Sequence, residues 1–337
     1  MSKPIMQDIA DSLSISRVSV WKALHNRPGV SAELRDRVLK EAVKIGYMRG
    51  VEHNIENGDT PTRTIAAVVS RPESSLFWKR IIHQIAKELS TRQFNLMYIY
   101  MPTYYNDGDT LPSILSDGSI SGIIVLNIYS EPQLRMIAKL PIPKVFLDGI
   151  PSLPLDRMGG DIVLIEGRSA IRQITGRLLD KGRKKLGFIG DIQYAQTNMD
   201  RYKGFKDAFY KRGLELDESL CMTGKLHLDT HYEQISEFLK SLKTIPDGFV
   251  CVSDYIAHFI ERYFTENKIN KKNICLTGFD NNSEYANVAN TITTVDVQTG
   301  SMGERLANKI VFSVNHPNAP PEICYVMTKV IYRSFPT

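Results

Sequence analysis

Arg17 and Val18 open a short periodic segment, RVSVWKALH, and Lys22 stands one helical turn further on. Those residue types at that spacing suit the major groove of DNA. A guanidinium can pair bidentately with guanine, and a valine methyl can touch the methyl of thymine. Ser16, Ser19 and Ser31, together with backbone N–H groups, suit phosphate oxygens. On a helix, Val20, Ala23 and Leu24 face one way, which leaves Arg17, Val18, Trp21, Lys22 and His25 on the other. A three-helix interaction domain with an ordinary polar face would share this pattern. Further on, polar residues stand at the ends of apolar runs. Asp148 ends KVFL, and Ser253 and Asp254 follow GFVCV. Phe77 and Trp78 come after IAAVV, where an aromatic face can stack on a sugar ring or serve as core.

The elements that must position these groups follow from periodicity. In residues 5–13, Ile5, Ile9 and Leu13 recur at four-residue intervals, and Pro4 is acceptable at a helix start because its missing N–H would be unpaired there. Ser14-Ile15-Ser16 interrupts, and Ser16 can cap a second helix over 17–25. Asn26-Arg27-Pro28-Gly29 is a turn signal. A third helix starts after Ser31, with Glu33 near its positive end, a stripe of Leu34, Val38, Ala42 and Ile45, and Gly46 to end it. Three short helices with a tight first turn make a helix-turn-helix, whose second helix enters the major groove.

Asn57 to Arg63 is polar, holds Gly and Pro, and marks a boundary. Beyond it, strand patterns (IAAVV at 65–69, NLMYIY at 95–100, GIIVL at 122–126, KVFL at 144–147, KLGFI at 185–189, GFVCV at 248–252, ICLT at 274–277) are separated by helical stretches such as 77–91 and 171–181. That alternation indicates doubly wound parallel sheet. So many strands suit two similar α/β lobes, with a ligand cleft at the strands' carboxyl ends.

Composition sets the outer limits. The chain has 337 residues, ample for a buried core, and 42% hydrophobic with 23% charged residues is ordinary for a globular protein. Net charge is +5, and residues 1–50 hold nine basic against five acidic residues, so the N-terminal module carries most of the excess. A small basic module suggests a polyanion partner, although a solvated basic surface would give the same count. No apolar run of about 18 residues occurs, so no membrane helix is expected, and Met1 to Asp11 holds no apolar signal core. Cys221, Cys251, Cys275 and Cys324 form no CxxC pair and read as thiols in a reducing cytoplasm rather than as disulfides. The sequence holds no HExxH, GxSxG, phosphate-loop or GxGxxG motif, so neither an enzyme, a metal site nor a cofactor is expected.

The run KPIMQDIADSLSISRVSVWKALHNRPGVSAELRDRVLKEAVKIGY resembles the headpiece of the lactose repressor/galactose repressor family across all three helices. The resemblance implies that Arg17 and Val18 are specificity positions, that Lys22 replaces a DNA-contacting Arg, and that Tyr47 contacts a phosphate. Two departures stand out. Trp21 occupies a place usually held by a small residue, and its indole N–H can donate to a phosphate while its bulk alters docking. The hinge reads GYMRGVEHNIENGDTPTR, without the family's Pro and Ala, and Glu56 stands at or beside the leucine that wedges into the minor groove. Phosphates repel an acid there, so Ile55 or Val51 takes the wedge role or the hinge only tethers.

The resemblance continues through the core. SGIIV at 121–125, the run LLDKGRKKLGFIG at 178–190, RYKGF at 201–205, TGFDN at 277–281 and TITTV at 291–295 are similar to family fragments in the same order. It implies an all-α helix-turn-helix headpiece (1–49), a hinge (50–63) and an α/β periplasmic-binding-protein-like core (64–337) of two doubly wound parallel-sheet lobes. The lobes exchange the chain three times, with an N-lobe of about 64–161 and 291–319 and a C-lobe of about 162–290 and 320–337. By position in the family, Arg201 and Asp280 are the principal effector ligands, with Asp148, Ser253, Asp254, Phe77 and Trp78 beside them. Leu226 stands near an aromatic position of some sugar-binding members. The expected partners are a palindromic double-stranded DNA operator, a small-molecule effector (a sugar or sugar phosphate first, a purine second) and a second copy of the chain. Because the sequence stops at Ser334-Phe335-Pro336-Thr337, with no leucine-rich tetramerising helix, a homodimer is expected. A solute-binding protein of transport or chemoreception is the competing reading. A sugar-modifying enzyme is the third.

Overall fold

The computed structural model describes residues 5–24, 29–45, 47, 63–71 and 75–333. The chain divides into two compact units, Met1–Thr62 and Arg63–Thr337.

In the first unit, α1 spans Met6–Leu13, α2 Arg17–Leu24 and α3 Ala32–Lys44. Asp8 caps α1 by accepting the Ile5 N–H at 2.7 Å, and Ser14 leaves the helix in the left-handed region at φ 54°. Ser16 Oγ accepts the Ser19 N–H at 3.0 Å, and Ser31 Oγ accepts the Leu34 N–H at 3.1 Å, so both serines supply partners to helix N-termini. Ile9, Ala10, Val20, Ala23, Val38 and Ala42 form the buried centre. Ile5, expected in the α1 stripe, is 59% exposed instead, because it precedes the first turn and does not reach that centre.

The second unit opens with β1 (Arg63–Val69), α4 (Leu76–Ser90), β2 (Phe94–Tyr100), β3 (Gly122–Leu126), α5 (Glu131–Ala138), β4 (Lys144–Leu147) and β5 (Asp161–Ile165). It continues with α6 (Arg168–Asp180), β6 (Leu186–Ile189), α7 (Gln196–Tyr210), α8 (His231–Ser241), β7 (Gly248–Cys251), α9 (Asp254–Glu266) and β8 (Cys275–Thr277). It closes with β9 (Thr294–Asp296), α10 (Thr299–Asn315), β10 (Ile323–Val326) and β11 (Lys329–Ile331). One six-stranded parallel sheet runs β10-β5-β4-β3-β1-β2, and a second parallel sheet runs β6-β7-β8. β9 and β11 pair antiparallel, and a Thr277–Thr293 bridge attaches that pair beside β8.

Two-sided burial explains the unbroken apolar runs. Ile65, Ala67 and Val69 enter one hydrophobic cluster while Ala66 and Val68 enter another, and Ile124 and Leu126 part from Ile123 and Val125 in the same way. α10 packs on α4 and so belongs with the six-stranded sheet.

The ladders correct the lobe boundaries expected from the sequence. β5 and β10 complete the six-stranded sheet, where the resemblance implies a C-lobe place for 162–165 and 323–326, and β9 joins the C-lobe side, where it implies an N-lobe place for 291–296. The physical reason is common to all three. Each departing strand pairs its backbone with the sheet it is leaving, so the chain crosses at that strand's carboxyl end, near 166, 297 and 327. Among the described residues no helix is long and apolar enough to cross a membrane.

Candidate functional site

In the headpiece, α2 carries no acid, and its outward face is the one its periodicity predicts. Val18 is 61% and Trp21 40% exposed, and Arg17 is exposed beside them, with Lys22 half-buried. Ser16 and Ser19 share a hydroxyl contact of 2.9 Å at the head of this helix. On α3, by contrast, Lys40 pairs with Asp36 at 2.8 Å and Lys44 with Glu41 at 3.3 Å, so part of the basic count is neutralised there. Tyr47 packs its ring against the headpiece core. His25 and the hinge residues 50–62 lie outside the described residues.

In the core, a cleft with a cavity volume of about 280 Å³ opens at the carboxyl ends of strands from both sheets. Arg201, on α7, is buried in its wall. Its Nη1 donates to Val252 O at 2.7 Å, its Nη2 lies 3.8 Å from Asp280 Oδ1, and its guanidinium sits 3.7 Å from the centroid of the Phe279 ring. Its Nε is buried with no hydrogen-bond partner, on the side of the guanidinium that packs against Gly167. Gly167 permits this packing, since a Cβ there would stand 2.7 Å from Arg201 Cγ. Burial pushes the Asp280 carboxyl up, and Arg201 draws it back.

Backbone strain gathers around the cleft. Arg71, Asn127, Asp148 and Asp280 all line it, and all are non-glycine residues with positive φ, between 48° and 96°. Such conformations cost about 1–3 kcal/mol each and tend to mark ligand sites.

Asp148 lines the cleft, but its acceptors are engaged. It takes the Thr197 hydroxyl at 2.5 Å and the N–H groups of Gly149 and Thr197 at 2.8 and 3.2 Å. Burial raises its pKa, while Thr197 and Gly149 lower it. Since Thr197 lies in the first turn of α7, this carboxylate clasps one lobe to the other, joined by Gln196 N–H on Gly149 O at 2.8 Å. Across the lobes, Glu284 accepts the Leu76 N–H at 2.9 Å.

Phe77 and Trp78 both line the cleft and meet edge to face at 5.1 Å. Ser253 lines it too, although its Oγ caps α9 by accepting the Ile256 N–H at 3.3 Å. Asp254 does not line the cleft. It is buried, with Oδ1 accepting from Thr294 Oγ1 and Oδ2 from Asn282 N–H, each at 2.7 Å, and burial pushes it up to about 7. Its neighbourhood is therefore a loop anchor, displaced from the cleft by the direction in which α9 begins.

Several lining residues escaped sequence reasoning. Tyr129 and Tyr194 face each other at 4.3 Å from opposite lobes, and Asn127, Asp191, His231, Tyr255 and Tyr285 complete the wall. Asp191 shapes its loop by accepting the N–H groups of Gln193, Tyr194 and Leu226. His231 is held below its ordinary pKa by burial, with Nδ1 3.0 Å from Leu228 O. The available signal was position alone: Asn127, Tyr129 and Asp191 fall one to three residues past the end of a strand. Leu226 also lines the cleft. Among the described residues no group of His, Cys, Asp and Glu could hold a metal ion.

An exposed, acid-free helix on a three-helix unit, followed by paired parallel sheets around a polar and aromatic cleft, is the architecture of a small helical headpiece joined to a periplasmic-binding-protein-like core. Residues 175–334 match the periplasmic binding protein-like domain family. Along 98% of its length the chain is 24% identical to the NTD biosynthesis operon regulator NtdR of Bacillus subtilis (strain 168), covering 99% of that protein. It is 21% identical to the HTH-type transcriptional regulator CelR of Thermobifida fusca, with 98% of each chain covered. Among solved structures, a CelR–cellobiose complex superposes with a TM-score of 0.71 at 21% identity, covering 98% of this chain and 99% of that one. The lac repressor dimer bound to operator and the anti-inducer ONPF superposes with a TM-score of 0.66 at 13% identity, covering 98% of each chain. Along nearly its whole length the chain is thus similar to transcriptional regulators of the lactose repressor/galactose repressor type.

Proposed function

We propose that this chain is a sequence-specific DNA-binding transcriptional regulator, a repressor, whose operator affinity is set by a sugar or sugar phosphate held between its two lobes. The observation that carries the reading is the exposed α2 face, with Arg17, Val18, Trp21 and Lys22 set out beyond a buried Val20 and Ala23. In this reading a homodimer presents two α2 helices to a palindrome, Arg17 and Val18 read bases, and Ser16, Ser19, Ser31, His25 and Tyr47 hold phosphates. The likeness to a regulator in complex with cellobiose and to a repressor dimer bound to operator supports it. The Arg201 guanidinium and the Asp280 carboxylate then take adjacent hydroxyls of the effector, and Phe77 and Trp78 stack on its ring. Ser253 is a lesser ligand, Asp148 acts as the clasp between the lobes, and Asp254 is removed from the ligand set. The protein works in the cytoplasm beside its operator and is not an enzyme.

A ligand that prefers one arrangement of the lobes shifts DNA affinity by its differential binding energy. The test is binding of the purified protein to fragments of its own genomic neighbourhood at two salt concentrations, with and without Arg17→Ala. Tight binding to one palindrome, lost in the variant, is the expected result. Weak, salt-sensitive binding to every fragment, indifferent to Arg17, would sink the reading.

A further inference from the structure

A second cavity, of about 270 Å³, shares Asn282 with the cleft and none of its other lining residues. Arg80 reaches it from α4 of the N-lobe, and Asn281, Asn282, Ser283, Asn290 and Arg333 reach it from the C-lobe side. Arg333 is fixed there by neutral partners. Its Nη1 donates to Ile292 O at 2.8 Å, its Nη2 to Asn281 Oδ1 and Asn290 Oδ1 at 3.0 and 3.3 Å, and its backbone N–H to Thr293 Oγ1 at 3.0 Å. Among the described residues neither Arg80 nor Arg333 forms an ion pair with a carboxylate. Asp254 lines the cavity, but both its oxygens already accept bonds from Thr294 and Asn282. Asn281 and Asn290 hold positive φ, at 49° and 60°, a strain characteristic of recognition loops.

The chamber thus has two guanidiniums outside any ion pair among the described residues, one carboxylate, Asp254, whose charge Arg333 feels but whose oxygens are already hydrogen-bonded, and a ring of amide and hydroxyl groups. It lies just below the ~300–1,000 Å³ usual for drug-sized ligands, so its occupant should be small. Planar guanidinium forks match the oxygens of phosphate groups. We propose that this cavity binds a small oxyanion of the phosphate class, free or as the phosphoryl group of a metabolite, bridging Arg80 of one lobe to Arg333 of the other. The shared residue couples it to the cleft. The Asn282 side chain donates to Glu284 Oε2 at 2.9 Å, and that same oxygen accepts the Leu76 N–H across the lobes. An anion here draws the lobes together, raises affinity in the cleft, and is itself bound more tightly, by the same factor, when the cleft is filled.

The test is isothermal titration of the full chain with inorganic phosphate and, separately, with glycerol 3-phosphate, at constant ionic strength balanced by chloride. Neither DNA nor the effector enters it, so its failure is distinct from failure of the regulator reading. Saturable binding that Arg80→Gln weakens about tenfold or more, and that Arg71→Gln in the cleft leaves unchanged, is the expected result. Tighter binding of inorganic phosphate identifies a free anion, and tighter binding of the monoester identifies a metabolite. Binding lost in Arg71→Gln and kept in Arg80→Gln would place the anion in the cleft and overturn the proposal, as would heats that never saturate. Arg80 is exposed, so its variant folds and decides the matter even where Arg333→Gln does not.

Discussion

The headpiece and the core place their chemistry in opposite ways. On α2 the candidate DNA-facing side chains stand outside the headpiece centre and contribute little to folding, since among the described residues the buried centre is Ile9, Ala10, Val20, Ala23, Val38 and Ala42. In the core the candidate ligands are part of the frame: Arg201 holds Val252 O, Asp148 holds Thr197, and Asp280 adopts φ 96°. Recognition on the headpiece can therefore change without loss of fold. In the cleft, specificity and stability are coupled.

The sharpest way to break that contrast is Arg201→Met. It leaves Val252 O without its donor and Asp280 without its cation in a buried wall, so the core should lose about 3 kcal/mol along with effector response. Urea unfolding followed on the core measures it, and unchanged stability would show the cleft to be as independent of the fold as α2 is. Arg17→Ala should do the reverse, with about 1–3 kcal/mol less discrimination for the operator and an unshifted unfolding curve. Competition binding against non-specific DNA reads the first part and circular dichroism the second.

Asp254 sharpens the comparison through pH. Its folded pKa, about 7, lies above the unfolded value, so the folded state binds the extra proton and stability falls as pH rises through that window. Between about pH 5 and about pH 7 this group should cost of order 1–2 kcal/mol, and Asp254→Asn should flatten that slope. A slope unaltered in the variant would mean that another group dominates. The smallest effect belongs to the headpiece. Ser31→Ala removes the cap on Leu34 N–H and should cost that unit about 1 kcal/mol, seen as earlier helix loss on heating, with the core transition unmoved.

The same contrast governs what was legible in the amino-acid sequence. β1, β3, β4 and β6 to β8 stood out because both of their faces are buried and the residues run apolar without a break. β10 did not, because Ile323 and Tyr325 are each about half exposed at a sheet edge. β5 has a clear apolar pattern, DIVLI, yet that pattern does not say which sheet it joins, and only the ladders to β4 and β10 place it in the six-stranded one. Arg201 and Asp280 were legible only through resemblance. Tyr129, Tyr194 and Arg71 were not legible at all, since loop residues carry no period, and only the crossing of two lobes brings them together. The capping serines and the outward face of α2 were readable because both depend on neighbours within one helical turn.

The chain has two tryptophans, Trp21 on the outer face of α2 and Trp78 in the wall of the cleft. One stands at each place where a partner is expected, so the protein carries two intrinsic optical labels. An indole facing solvent emits at longer wavelength than one half enclosed beside Phe77, and Trp21→Phe and Trp78→Phe would each leave a single emitter. One variant then reports duplex binding and the other reports ligand entry, in the same cuvette and without any attached dye. A cleft ligand that alters emission from Trp21 alone, with Trp78 replaced, would be a direct optical record of communication between the two units.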